Sequence, residues 1–289
     1  MKRVWLALAL CLALAGGAHA QGGMGPGPGT VHSTGGCAEA TTFLARTSGL
    51  SGTETSAYTT MICGMVTDGV WTKLDAFYIF ATNTTTTANH NLISTSFGLT
   101  QVVGALTFTA DRGYTGIAGR ALDTNLVLTA ATKYTLNSAA SGGYVLTNRT
   151  ANGAAVLFGV TDATRYDFMR THNASGNAEF DVNSATFSAA ASTTSQGSWF
   201  ANRSAASGAG ALTLYRNGSS FSATSVASTG VPTTQTIWIS ALNNNGVLNS
   251  SGTDEIAAFW VGGGFNATDV ANFSSRVNTY MAALGVNVY

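Results

Sequence analysis

Residues 212–226 read LTLYRNGSSFSATSV, two alternating apolar and polar runs on either side of Asn217-Gly218. Asn-Gly supplies two consecutive residues that tolerate positive φ, the condition for a two-residue turn that matches the twist of paired strands. The stretch therefore predicts an antiparallel hairpin, and the same grammar extends outward from it. Toward the N-terminus come LDAFYIF, NLIST, ALTFT, KYTL, GYVLTN, AAVLFGV, RYDFM, AEFDV, ATFSA and SWFAN, and toward the C-terminus TIWISAL and EIAAFWV. Short β-branched or aromatic runs, divided by Gly, Asn and Ser turns about every 8–12 residues, predict an all-β antiparallel sandwich or barrel. No fixed repeat points to a solenoid or propeller.

Two segments break the period of two. From Thr53 to Asp68, apolar residues at Ala57, Tyr58, Met61, Ile62, Met65 and Val66 fall on one helix face, and Gly69 stands where a helix ends. Val270, Phe273, Val277, Tyr280, Met281 and Leu284 repeat that spacing near the C-terminus, with Asn266 and Asp269 placed as a capping pair and Gly285 as the stop. Just before this second helix, alternation from Glu255 to Val261 puts Ile256, Ala258 and Trp260 on one strand face and Ala257 and Phe259 on the other. Gly262 to Gly264 then read as a tight corner.

The chain has 289 residues, 45% of them hydrophobic and only 9% charged, with 13 basic and 13 acidic side chains. The length suffices for one well-buried β domain. Zero net charge leaves no basic field to gather phosphates, which argues against nucleic acid as a partner. The opening MKRVWLALALCLALAGGAHA has a basic start, a short apolar core and a small-x-small end, the pattern of a signal peptide cleaved near Ala20. The apolar core is too short to span a membrane, and the chain is expected to be secreted or periplasmic/extracellular. Residues 21–36 alternate Gly and Pro and read as a flexible tether, so the folded domain is expected over 37–289. Cys37 and Cys63 then stand in a compartment that permits disulfides: pairing them closes a loop, and the alternative is two buried thiols.

Catalytic signals are sparse. No G-x-S-x-G elbow, His-x-His or HExxH occurs, and His32, His90 and His172 lie in loop-like stretches and read as solvated turn residues. Asp254-Glu255 are adjacent on a strand and so face opposite sides. Aromatic residues that could stack on sugar faces, with Arg and Asn as hydrogen-bonding neighbours, make Tyr166, Arg170, Trp199 and Tyr215 candidate carbohydrate-binding residues.

The run GSWFANRSAASGAGALTLYRNG, through Gly197, Trp199, Leu214, Tyr215, Asn217 and Gly218, resembles concanavalin A-like (laminin G-like) β-sandwiches. With TDGVWTKLDAFYIFA, FTADRGYTG, ALDTN and EIAAFWVGGGFNATDVANFSSRVNTYMAALG, the wider pattern is similar to such modules among phage and prophage structural proteins and their bacterial relatives, over nearly all of Thr53 to Gly285. The resemblance implies a jelly-roll sandwich with one short helix before the sheets and one at the C-terminus. The group hosts lectins, glucanases and structural parts, so the fold alone does not choose among them. In some members it implies calcium, for which Asp111, Asp123 and Asn245 offer oxygen ligands here. In the glucanases it implies Glu-x-Asp-x-x-Glu on one strand; the nearest match is Glu179-Phe180-Asp181, with Ser184 where the third acid would stand. The expectation is a secreted non-catalytic module that contacts polysaccharide or surface glycan, or serves as a surface or phage-derived structural part. The alternatives are a glucan-type hydrolase and a purely structural surface protein that self-assembles or binds a virion or cell-surface partner.

Overall fold

The computed structural model describes residues 36–151, 153 and 156–289; the expected signal peptide and all but the last residue of the expected tether lie outside them. In chain order the elements are α1 (Ala38–Leu44), α2 (Gly52–Thr67), β1 (Leu74–Ile79), the single-turn α3 (Thr85–Ala88), β2 (Thr100–Val102), β3 (Thr107–Thr109), β4 (Gly113–Thr115), β5 (Ala121–Val127), β6 (Ala139–Val145) and β7 (Val156–Thr161). They continue with β8 (Tyr166–Arg170), β9 (Asn177–Ser184), β10 (Ser188–Ala191), β11 (Gly197–Arg203), β12 (Leu212–Arg216), β13 (Ser219–Thr224), β14 (Thr236–Ile239), β15 (Ala241–Asn244), β16 (Val247–Ser251), β17 (Glu255–Gly262) and α4 (Ala267–Ala283).

The strands form a sandwich of two sheets, antiparallel but for one pairing. The first runs β13-β12-β11-β6-β17-β4-β3, with β1 also paired to β17. The second runs β10-β9-β8-β7-β14-β5-β2; β15 joins β7 in parallel and carries β16. Asn217 and Gly218 both have positive φ, 52° and 79°, and Arg216 pairs with Ser219 across the two-residue turn between β12 and β13. This is the hairpin that the sequence predicts there.

Side chains of the first sheet alternate between two cores. Tyr78, Phe80, Trp199, Phe259 and Val261 pack inward against Leu122, Phe158, Phe180 and Ile239 of the second sheet. Phe77, Tyr144, Phe200 and Trp260 pack outward against Tyr58, Met61, Phe273, Val277 and Tyr280 of the helices. The molecule thus has three layers: helices, first sheet, second sheet. Glu54 and Ser51 cap α2, and Asn266 and Asp269 cap α4, each by a reciprocal capping box. The disulfide Cys37–Cys63 ties the residue that precedes α1 to α2. Among the described residues no helix is long and apolar enough to cross a membrane.

Four details depart from the sequence reading. First, α1 adds a second helix ahead of the sheets. Second, a β-bulge in β17 between Ile256 and Ala258 shifts its register against β6, so Ile256 joins the inter-sheet core while Ala257, Ala258 and Trp260 face the helices. Third, Gly262 to Gly264 have no positive φ; chains approach them closely, and a Cβ on Gly262 would lie 2.3 Å from the Lys73 carbonyl oxygen. Fourth, NLIST and KYTL are loops, because side chains take the place of a strand partner. Asn91 Oδ1 accepts from the Phe77 and Ile93 amides, and the Asp75 carboxylate accepts from the Thr132, Lys133 and Tyr134 amides.

Candidate functional site

Strand β8 reads Tyr-Asp-Phe-Met-Arg, and alternation splits it cleanly. Met169 enters the inter-sheet core, and Asp167 accepts a hydrogen bond from Ser141 Oγ of the opposite sheet at 2.7 Å. Tyr166, Phe168 and Arg170 therefore lie on the outer face of the second sheet. There Phe168 packs with Val156 and Leu242, separate from the main core, and Tyr166 sits against the same group. Gly159 of β7 leaves room for this packing, since a Cβ there would fall 2.8 Å from both Phe168 and Leu242.

Phe187, in the turn between β9 and β10, closes over these residues. Its ring centroid lies 4.6 Å from that of Tyr166 and 5.0 Å from that of Phe168, and 41% of the residue is exposed. The Arg170 guanidinium sits 5.4 Å from the Phe168 ring centroid and pairs with Glu179 at 2.8 Å. Glu179 also accepts from Asn173 Nδ2 at 2.6 Å. Phe168 itself is buried and Tyr166 half-buried, so the platform presents the Phe187 ring and part of Tyr166 to solvent, bordered by a hydrogen-bonded polar group.

Of the four residues expected to contact sugar, the structure brings Tyr166 and Arg170 together here. Trp199 is fully buried between the sheets, with its indole N–H donated to the Ser195 carbonyl and Arg216 5.0 Å from its ring centroid, so it presents no face to a ligand. Tyr215 is likewise buried, in the helix-side core. Phe187 and the role of Glu179 escaped the sequence reading. The signal available was outward alternation of Tyr166, Phe168 and Arg170 in β8, followed by a lone Phe in the Ala-Thr-Phe turn.

Neither of the two acidic pairs singled out in the sequence is an open carboxylate pair. Glu179 is committed to Arg170 and Asn173, while Asp181 is fully buried and accepts from Ser184 Oγ, the residue standing where the glucanase pattern has its third acid. Asp254 is held by Arg149 and Glu255 by Arg112, so the acidic pair beside the glycine corner is two separate ion pairs. Asp167 and Asp181 share the sandwich interior with Tyr134 and the fully buried Arg203, whose guanidinium donates to the Val182, Ala205 and Val226 carbonyls. Burial pushes both aspartates up to about 7; a hydrogen bond from Ser141 partly offsets this at Asp167, and a hydrogen bond from Ser184 and the charge of Arg203 do so at Asp181. His172, expected as a solvated turn residue, is buried.

The three oxygen ligands proposed for calcium lie on different elements. Asp111 lies in the turn between β3 and β4, Asp123 on β5 accepts from the Asn125 amide, and Asn245 lies in the turn between β15 and β16. Among the described residues no group of three His, Cys, Asp or Glu side chains is placed to hold one metal ion.

No family model matches the chain. No curated protein matches it in sequence. Among solved structures it is similar to domain 4 of AbnA, a GH43 extracellular arabinanase from Geobacillus stearothermophilus, in complex with arabinotriose, at 15% identity over 70% of this chain and 98% of that one, TM-score 0.48. It is also similar to a mutant Trypanosoma rangeli sialidase displaying trans-sialidase activity, at 7% identity over 72% of this chain, TM-score 0.48. A third similarity is to the botulinum neurotoxin serotype D binding domain, at 12% identity over 73% of this chain, TM-score 0.46. The chain spans 34% of the sialidase and 52% of the neurotoxin chain. The fold assignment rests on the strand pairings themselves.

Proposed function

We propose that the chain is an exported, non-catalytic β-sandwich module that contacts carbohydrate through the outer face of its second sheet. The observation that carries this reading is the half-exposed Phe187 ring seated on Tyr166 and Phe168, beside Arg170, Glu179 and Asn173. An aromatic ring braced on strand residues offers an apolar face to a pyranose or furanose, and neighbouring amide and guanidinium groups meet its hydroxyls. Helices cover the outer face of the first sheet, whereas on the second sheet Phe187 reaches solvent above the buried Val156, Phe168 and Leu242. Export is supported by the composition of residues 1–20 and by the Cys37–Cys63 disulfide. The domain plan is a signal peptide, a Gly/Pro tether and one sandwich over 37–289.

The test is retention of the full chain on immobilised polysaccharides, with released sugar measured in parallel. Phe187→Ala lowers retention about tenfold, the effect of removing an aromatic anchor from a binding face, and no sugar is released. Unchanged retention in that variant would move the contact elsewhere. Sugar release abolished by Glu179→Gln would make the chain a hydrolase.

A further inference from the structure

We infer that the platform selects uncharged polysaccharide and that Glu179 sets this selection by cancelling the charge of Arg170; the inference rests on the carbohydrate reading of the same face. Each charged side chain bordering the rings is paired. Arg170 meets Glu179 at 2.8 Å, with side chains 21% and 22% exposed, and Arg165, next to Tyr166, meets Asp162 at 3.3 Å. Two cations and two anions sum to zero beside the rings, and the chain, with 13 of each sign or 11 basic and 13 acidic once Lys2 and Arg3 leave with residues 1–20, adds no positive long-range field to recruit an anion.

The position of Arg170 makes its neutralisation informative. Its guanidinium is fixed over Phe168, beside the ring on which a sugar would rest. A free arginine there would form the paired hydrogen bonds that suit the carboxylate of a uronate or sialate. Glu179 takes the carboxylate's place through a single bond from Arg170 Nη1 to one oxygen, and its other oxygen is occupied by Asn173. An acidic sugar would have to displace Glu179 or approach it as a like charge, whereas a neutral sugar leaves the pair intact. Ala189, opposite Glu179 on the edge strand β10, brings no compensating cation.

Affinity electrophoresis of the full chain tests this, in native gels containing neutral polysaccharides (arabinan, xylan, mannan, β-glucan) or acidic ones (polygalacturonate, hyaluronan). The wild type is retarded in at least one neutral gel and in neither acidic gel. Glu179→Gln gains retardation in the acidic gels, with apparent affinity raised about tenfold and the gain abolished by about 0.5 M salt. The double variant Arg170→Gln/Glu179→Gln loses the gain. Glu255→Gln makes the same change in net charge but frees Arg112 on the first sheet, and it gains nothing. Retardation of the wild type in acidic gels, or a gain in Glu179→Gln no larger than in Glu255→Gln, overturns the inference. If acidic retardation of the wild type is weakened by Phe187→Ala, the platform stands and only its selectivity is wrong. A wild type retarded in no gel overturns the carbohydrate reading and the inference together.

Discussion

Asp167 and Asp181 are the residues whose chemistry departs furthest from that of a surface carboxylate. An aspartate with an ordinary value of 3.8 that folding raises to about 7 is held neutral by its site. Its contribution to stability is complete below the unfolded value and is lost as pH climbs through 7. Asp167→Asn keeps an acceptor for Ser141 without a charge to bury, so its melting temperature relative to wild type rises between pH 5 and pH 8. A difference independent of pH would mean that Asp167 is ionised in the fold. The same interior explains one misreading. Trp199 in a Gly-x-Trp strand start looks like a sugar-stacking aromatic, but alternation gives two faces without saying which is covered, and Trp199 faces the opposite sheet.

At the scale of elements, the parts set by local chemistry were legible. The Asn-Gly hairpin, both capping pairs and the long helices follow from turn residues and periodicity that act within a few positions. Gly218 carries a positive φ, and a Cβ there would lie 3.2 Å from Ser274 Cβ, so Gly218→Ala costs about 1 kcal/mol or more by urea titration. Cys63→Ser frees α1 from α2 and lowers stability by about 3 kcal/mol in the same assay. Equal urea midpoints for either variant and wild type would refute these assignments. The bulge in β17 and the two loops read as strands were hidden, because each depends on partners far along the chain. Phe80 and Ala81 both donate to the Ala257 carbonyl at the bulge, and Asp75 reaches across to residues 132–134. No window of sequence shows such a contact.

Among the described residues, a charge-poor surface is joined to a three-layer body in which helices cover the first sheet and Phe187 of the second sheet's outer face meets solvent. Composition gave the first property, since 9% charged residues leave amides and hydroxyls to meet solvent. The layering could not be read from it, because α2, ending at Thr67, and α4, beginning at Ala267, must meet before the first sheet is covered. The same layering divides the expected sugar-contact set: Tyr166 and Arg170 lie on the outer face of the second sheet beside Phe187, while Trp199 and Tyr215 lie in the two cores. The central claim is that this outer face holds carbohydrate, and the most direct measurement is retention of the full chain and of Phe187→Ala on one panel of insoluble neutral polysaccharides. The account predicts retention of the wild type, about tenfold weaker retention of the variant and unchanged melting temperatures. Equal retention of the two proteins, or retention of neither, would contradict it.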